Sequence, residues 1–140
     1  MGETTEPSGE ALVFLQRRVG WFGVVAGALV LGFYVFRLLT EQGPVALADP
    51  SLLTHAGAGL TLVAMWAALR GPARSGRWVR SVETLGLVLA STFLVVMGMY
   101  LPLPADPGRI VVMGMAVVHM ARAIYVPSSA RRTALFCVIA

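Results

Sequence analysis

Four long stretches of this chain carry almost no charge, and the loops between them are alternately rich and poor in arginine. Residues 19–36, 52–69 and 84–103 contain no charged side chain, and 110–126 is broken only by Arg122. Runs of about 17–20 apolar residues match the hydrocarbon thickness of a bilayer at about 1.5 Å per helical residue. The pattern predicts an all-α fold: an integral membrane helical bundle of four full transmembrane helices plus a truncated fifth. Charged residues make up 13% of the chain, about half the usual 25% of a soluble domain.

Turn and cap residues set the expected boundaries. Residues 1–8 read as a disordered acidic tail, not a signal peptide, because they lack a basic segment and a small-residue cleavage site. Ser8 can cap a helix that starts near Gly9. The spans are expected at about 19–40, 51–70, 82–103 and 108–126. Gly43-Pro44 stops the first span. Asp49-Pro50 and Asp106-Pro107 open the second and fourth, with Asp as N-cap and Pro at the first helical position. Ser75 or Ser81 can cap the third. Pro127 closes the fourth, and Ser128-Ser129 can cap a partial fifth helix over 130–140. Its apolar part, 134–140, would give about 10 Å of helix against about 30 Å of hydrocarbon. The chain is therefore expected to be a fragment cut inside a span.

Arginine sets the expected orientation. All eleven basic residues are Arg. Arg17, Arg18, Arg70, Arg74, Arg77, Arg80, Arg122, Arg131 and Arg132 fall on one side of the predicted topology, and Arg37 and Arg109 on the other. Such a bias predicts a multi-pass inner-membrane protein whose N-terminus and arginine-rich loops are cytoplasmic. These arginines adjoin apolar spans, so headgroup contact is expected of them rather than nucleic-acid binding. Trp21, Trp66, Trp78 and Tyr125 are expected near the inner interface, Tyr34 and Tyr100 near the outer.

The candidate chemistry is sparse. His55 and His119 are the only histidines. Their predicted depths differ by seven residues, about 10 Å, a poor fit to the two faces of one haem. Met97, Met99, Met113, Met115 and Met120 resemble a soft-metal set, but their spacing spreads them over different helix faces, as packing filler is spread. Arg37 and Arg122 lie close enough to span ends to snorkel. No Asp or Glu falls inside the four apolar runs, which argues against an acidic proton relay. Gly57-Ala-Gly59 lacks the third glycine of a dinucleotide loop. Cys137 reads as a small buried hydrophobe. Gly23 and Gly27 form a GxxxG, and Gly32 (with Ala28), Gly86 and Ala90 complete small-xxx-small pairs, which suit close helix packing within the bundle or between copies.

A resemblance adds a functional expectation. Thr54-His55, Trp66-Ala-Ala-Leu-Arg70, Arg74-Ser-Gly-Arg-Trp-Val-Arg-Ser-Val-Glu83 and above all Ala121-Arg-Ala-Ile-Tyr-Val-Pro-Ser-Ser-Ala-Arg-Arg-Thr133 resemble the N-terminal multi-pass membrane module of some bacterial serine/threonine protein kinases. There a similar RAxxVPSSxRRT string ends one span and opens the next. The resemblance covers roughly residues 50–140. It implies further spans and then a cytoplasmic kinase domain that alone would use ATP and Mg; with the Arg131-Arg132 loop expected in the cytoplasm, an even number of spans, six, would return the chain to that side. The kinase's catalytic residues have no counterpart here: the chain has no Lys, no Asn and neither a His-Arg-Asp nor an Asp-Phe-Gly string.

The leading expectation is thus a membrane-anchoring and sensory module of a signalling protein. It would bind no cofactor of its own, and its partners would be the lipid bilayer, further copies of itself and a missing cytoplasmic catalytic domain. The alternatives are a stand-alone small membrane protein, such as a transporter subunit or assembly factor, and a haem-bearing redox anchor.

Overall fold

A computed structural model describes residues 9–40, 49–101 and 106–126. These form four helices and, among the described residues, no strand: α1 Gly9–Thr40, α2 Pro50–Ala68, α3 Gly76–Met99 and α4 Pro107–Tyr125. All four are long and apolar enough to cross a membrane. The expected 1–8 tail, the Gly43-Pro44 stop, the Pro127 and Ser128-Ser129 signals, the fifth helix over 130–140, Arg131, Arg132 and Cys137 lie outside the described residues.

The helix starts follow the cap chemistry. Asp49 Oδ1 accepts from the Ser51 N–H at 2.8 Å, and Asp106 Oδ1 from the Arg109 N–H at 3.1 Å, each with proline next in the chain. Of the two serines that could cap α3, Ser75 does so, with its Oγ accepting from the Trp78 N–H at 3.3 Å. The helix therefore begins at Gly76, well before the apolar run. It stops at Met99, ahead of the run's end at 103, in a tighter turn where the Tyr100 N–H donates to Met97 O. Pro102 follows, and the residue before a proline is steered away from helical geometry.

The helices alternate in direction. Gln16 in α1 touches the α2–α3 loop, and Glu83 early in α3 touches Arg122 late in α4. At the opposite end His55, early in α2, meets Val30 of α1 and Met97 of α3. The most extensive packing joins α2 to α1 and α3, and α4 rests against α3 and α1.

Each helix buries one stripe. On α2 it runs Leu52, His55, Ala58–Gly59, Leu62, Met65 and Leu69, and on α3 Val79, Glu83, Gly86–Leu87, Ala90, Leu94 and Met97–Gly98. These steps of three and four residues trace a single helix face. Small residues bring α1 and α2 together: a Cβ added at Gly23 would lie 2.7 Å from Leu62 O, and one at Gly27 2.9 Å from Val63 Cγ2. Gly86 backs onto Met65 of α2, where an added Cβ would lie 2.9 Å from Sδ, and Ala90 is fully buried. Gly32 differs from the other small-residue candidates. It is exposed, and an added Cβ would meet nothing within 4 Å. Its place on α1 faces away from the bundle, so close packing there would need a second copy.

The exterior is apolar too. Leu29, Phe33, Phe36, Leu53, Leu60, Leu85, Leu89 and Val117 all point outward. Hydroxyls among them are satisfied locally. Thr54, Thr61 and Thr92 donate back to the carbonyls four residues earlier, at 2.8, 2.7 and 2.8 Å, which removes most of the cost of placing them in an apolar medium.

Candidate functional site: the arginine-rich end

The end of the bundle formed by the start of α1, the end of α2, the start of α3 and the end of α4 collects Arg17, Arg18, Arg70, Arg74, Arg77, Arg80 and Arg122. Six are exposed. Arg122 is 1% exposed and Glu83 0%. Arg122 Nε donates to Glu83 Oε1 at 2.9 Å, and Nη2 lies 2.8 Å from the same oxygen.

This pair corrects two expectations. The chain does bury an acidic group: Glu83 sits in the second turn of α3, on the stripe that faces the other helices. Arg122 does not snorkel outward; it turns inward to meet that carboxylate. Burial of either charge alone would be costly, and the partner is what makes it feasible. The pair also matters for placement. Of α4, only Met115, Val118 and Arg122 are buried, with Val126 at its C-cap, so the pair is one of few buried contacts that place the arginine-rich end of α4.

A second device holds the α2–α3 loop. Gln16 is buried on α1. Its Nε2 donates to Leu69 O at 2.8 Å and to Pro72 O at 3.2 Å, while its Oε1 accepts from the Arg74 N–H at 2.8 Å. One amide thus satisfies three backbone groups of a loop that turns through Gly71 at φ +104°, where a side chain would be strained.

Beside this latch, α1 and α2 leave a cleft of about 270 Å³. Arg17 and Arg70 both border it, with Trp21 and Trp66. The Arg70 guanidinium lies over the Trp66 ring, 4.1 Å from its centre. Arg18 turns to Phe14, at 5.1 Å.

The two histidines stand apart. His55 Nε2 is 2.9 Å from Val30 O and its Nδ1 3.1 Å from Met97 Sδ, so the ring links three helices at the arginine-poor end. His119 is one turn from Arg122, and its Nε2 is buried without a hydrogen-bond partner among the described residues. Judged by the levels of Met97 and Glu83 on α3, the rings are separated by about 15 Å along the bundle. Among the described residues, no group of three or more His, Cys, Asp or Glu is placed to hold a metal ion. Arg37, at the His55 end, donates from Nη1 to Ser51 Oγ at 3.3 Å and lies 4.0 Å from Asp49 Oδ2, tying α1 to the cap of α2.

No family model, curated protein or solved structure matches this chain. The functional reading therefore rests on the residues themselves.

Sequence reasoning identified the arginines and the glycines but missed Glu83, Gln16 and the two-arginine cleft. For Glu83 a signal existed: it falls three to four residues from Val79 and Gly86–Leu87, in register with the buried stripe.

Proposed function

We propose that this chain is a membrane-anchoring and signal-coupling module, with its arginine-rich end facing the cytoplasm. We further assign it, on the resemblance of residues 121–133, to the N-terminal membrane part of a bacterial serine/threonine protein kinase. The observation that carries the anchoring reading is the sorting of charge. Seven arginines gather at one end of an otherwise apolar four-helix bundle, while Arg37 and Arg109 belong to the other end, with Asp49 and Asp106. Arginine at the cytoplasmic flank of a span is what fixes membrane orientation.

The ion pair supports the coupling role. Arg122 opens the Arg-Ala-x-x-Val-Pro-Ser-Ser string, and it is the residue that locks α4 to α3. A shift of α4 that broke the pair would carry Arg122, and with it the start of the string. Two states of α4 that differ in this contact would give a ligand or lipid an equilibrium to bias.

The test is made on the native gene product. A reading frame that continues past residue 140 through further spans into a Gly-rich loop and a Lys-bearing strand supports the kinase assignment. So does serine or threonine phosphorylation by that product in alkali-washed membranes. A stop codon just after residue 140 contradicts it.

A further inference from the structure

We infer that the cleft between α1 and α2 is a binding site for the headgroup of an anionic phospholipid. Arg17 borders it from α1 and Arg70 from the start of the α2–α3 loop, and Trp21 and Trp66 flank it. Among the described residues, no carboxylate pairs with either arginine. Arg70 is held instead by the face of Trp66, which orients the guanidinium without neutralising it. Two arginines that line one concavity, with no carboxylate partner among the described residues, match a phosphate, which accepts bidentate hydrogen bonds from arginine.

Depth favours a lipid as the source of that phosphate. The uncharged run of α1 begins at Val19, directly after Arg17 and Arg18. The cleft therefore lies where apolar span gives way to charge, the level at which tryptophans sit in membranes. Gly20 lines the cleft one turn further into the span than Arg17, and a Cβ added there would come into ordinary contact with Trp66, at 3.6 Å. A lipid whose phosphate sat between the arginines would run its chains along the outward face of α1 and α2. Headgroup charge is selected by the lining: among the described residues, no Asp or Glu borders the cleft. A zwitterionic headgroup would bring its ammonium to two cations with no counter-charge, whereas an anionic one would not.

This inference rests on the arginine-rich end lying at the headgroups. It is tested in detergent, where the result does not depend on which compartment that end faces. The full chain is purified in a non-ionic detergent and titrated with phosphatidylglycerol and phosphatidylcholine, and bound lipids are counted by native mass spectrometry. One phosphatidylglycerol should be retained in preference to phosphatidylcholine. Two surface arginines are worth about 2 kcal/mol together, so R17Q/R70Q should weaken phosphatidylglycerol binding about 30-fold. R77Q/R80Q, which removes the same charge elsewhere on this end, should leave it unchanged. Gly20→Leu keeps both charges but fills the cleft, and it should also lose the preference, so the test survives if the double-arginine variant fails to fold. Equal affinity for the two lipids would overturn the inference, as would an equal loss in R77Q/R80Q. Glycerol phosphate binding as tightly as the lipid would also overturn it, reassigning the cleft to a soluble phosphate.

Discussion

Arg122 of α4 and Glu83 of α3 meet at 2.8 Å with both side chains shut inside the bundle. Removing either one takes a close counter-charge from the other. Glu83→Ala and Arg122→Ala should each lower stability by about 3–5 kcal/mol, the usual penalty for breaking a buried ion pair by removing one partner. The double substitution Glu83→Leu with Arg122→Leu should recover most of that loss, because the two effects are coupled. Thermal or denaturant unfolding in detergent, followed by circular dichroism, reads both. Single variants as stable as the parent would show that the pair contributes nothing.

The interface of α1 with α2 depends on a missing side chain at Gly23. A Cβ there meets Leu62 O, a backbone atom that cannot rotate aside. Gly23→Ala should cost about 1–3 kcal/mol, typical of overpacking. Gly32→Ala, at an open position, should be neutral or stabilising by up to about 1 kcal/mol, from the better helix propensity of alanine. Equal effects at the two sites in the same unfolding assay would argue against the close approach. A change of oligomeric state in Gly32→Ala alone would instead mark that position as a contact between copies.

Gln16 holds the α2–α3 loop by three hydrogen bonds. Gln16→Leu should cost about 1–3 kcal/mol through the backbone groups left unsatisfied. It should also speed trypsin cleavage after Arg70 and Arg74, since proteolysis follows local opening. Unaltered cleavage kinetics would count against the latch.

His55 links three helices through its two ring nitrogens. His55→Ala should lower stability by about 1–3 kcal/mol, and neither the parent nor the variant should show a Soret band after expression in haem-replete cells. Stoichiometric haem that disappears in His119→Ala would contradict the structural role assigned here.

Much of the fold could be read from the sequence, for a physical reason that also explains what could not. Hydropathy and length mark helices that cross an apolar medium, and Asp49-Pro50, Ser75 and Asp106-Pro107 mark where they start. The facing of each helix is harder to read. On α1 the residues are apolar all round, so the stripe Gln16, Val19, Phe22–Gly23, Ala26–Gly27 has no contrast against its outward neighbours. Glu83 and Arg122 fall at the margins of their runs, where a charge reads as the edge of a span. Their partnership spans 39 residues of sequence, and no local pattern encodes it. Only the four-residue spacing from Val79 to Glu83 and from Val118 to Arg122 could have placed each on an inward face. The cleft was less legible still, because Arg17 and Arg70 come together only once α1 and α2 are packed.

The account stands on a bundle that crosses the membrane with its arginine-rich end in the cytoplasm, and thiol labelling of single cysteines in intact cells tests this most directly. With Cys137 replaced by serine, one cysteine is placed at Thr40, the arginine-poor end of α1, and in a second variant at Ala73, in the arginine-rich α2–α3 loop. An impermeant maleimide should label Thr40→Cys from outside, and should reach Ala73→Cys only after the membrane is opened. Labelling of Ala73→Cys in intact cells with protection of Thr40→Cys would reverse the orientation, and recovery of both variants in the soluble fraction would contradict the membrane account itself.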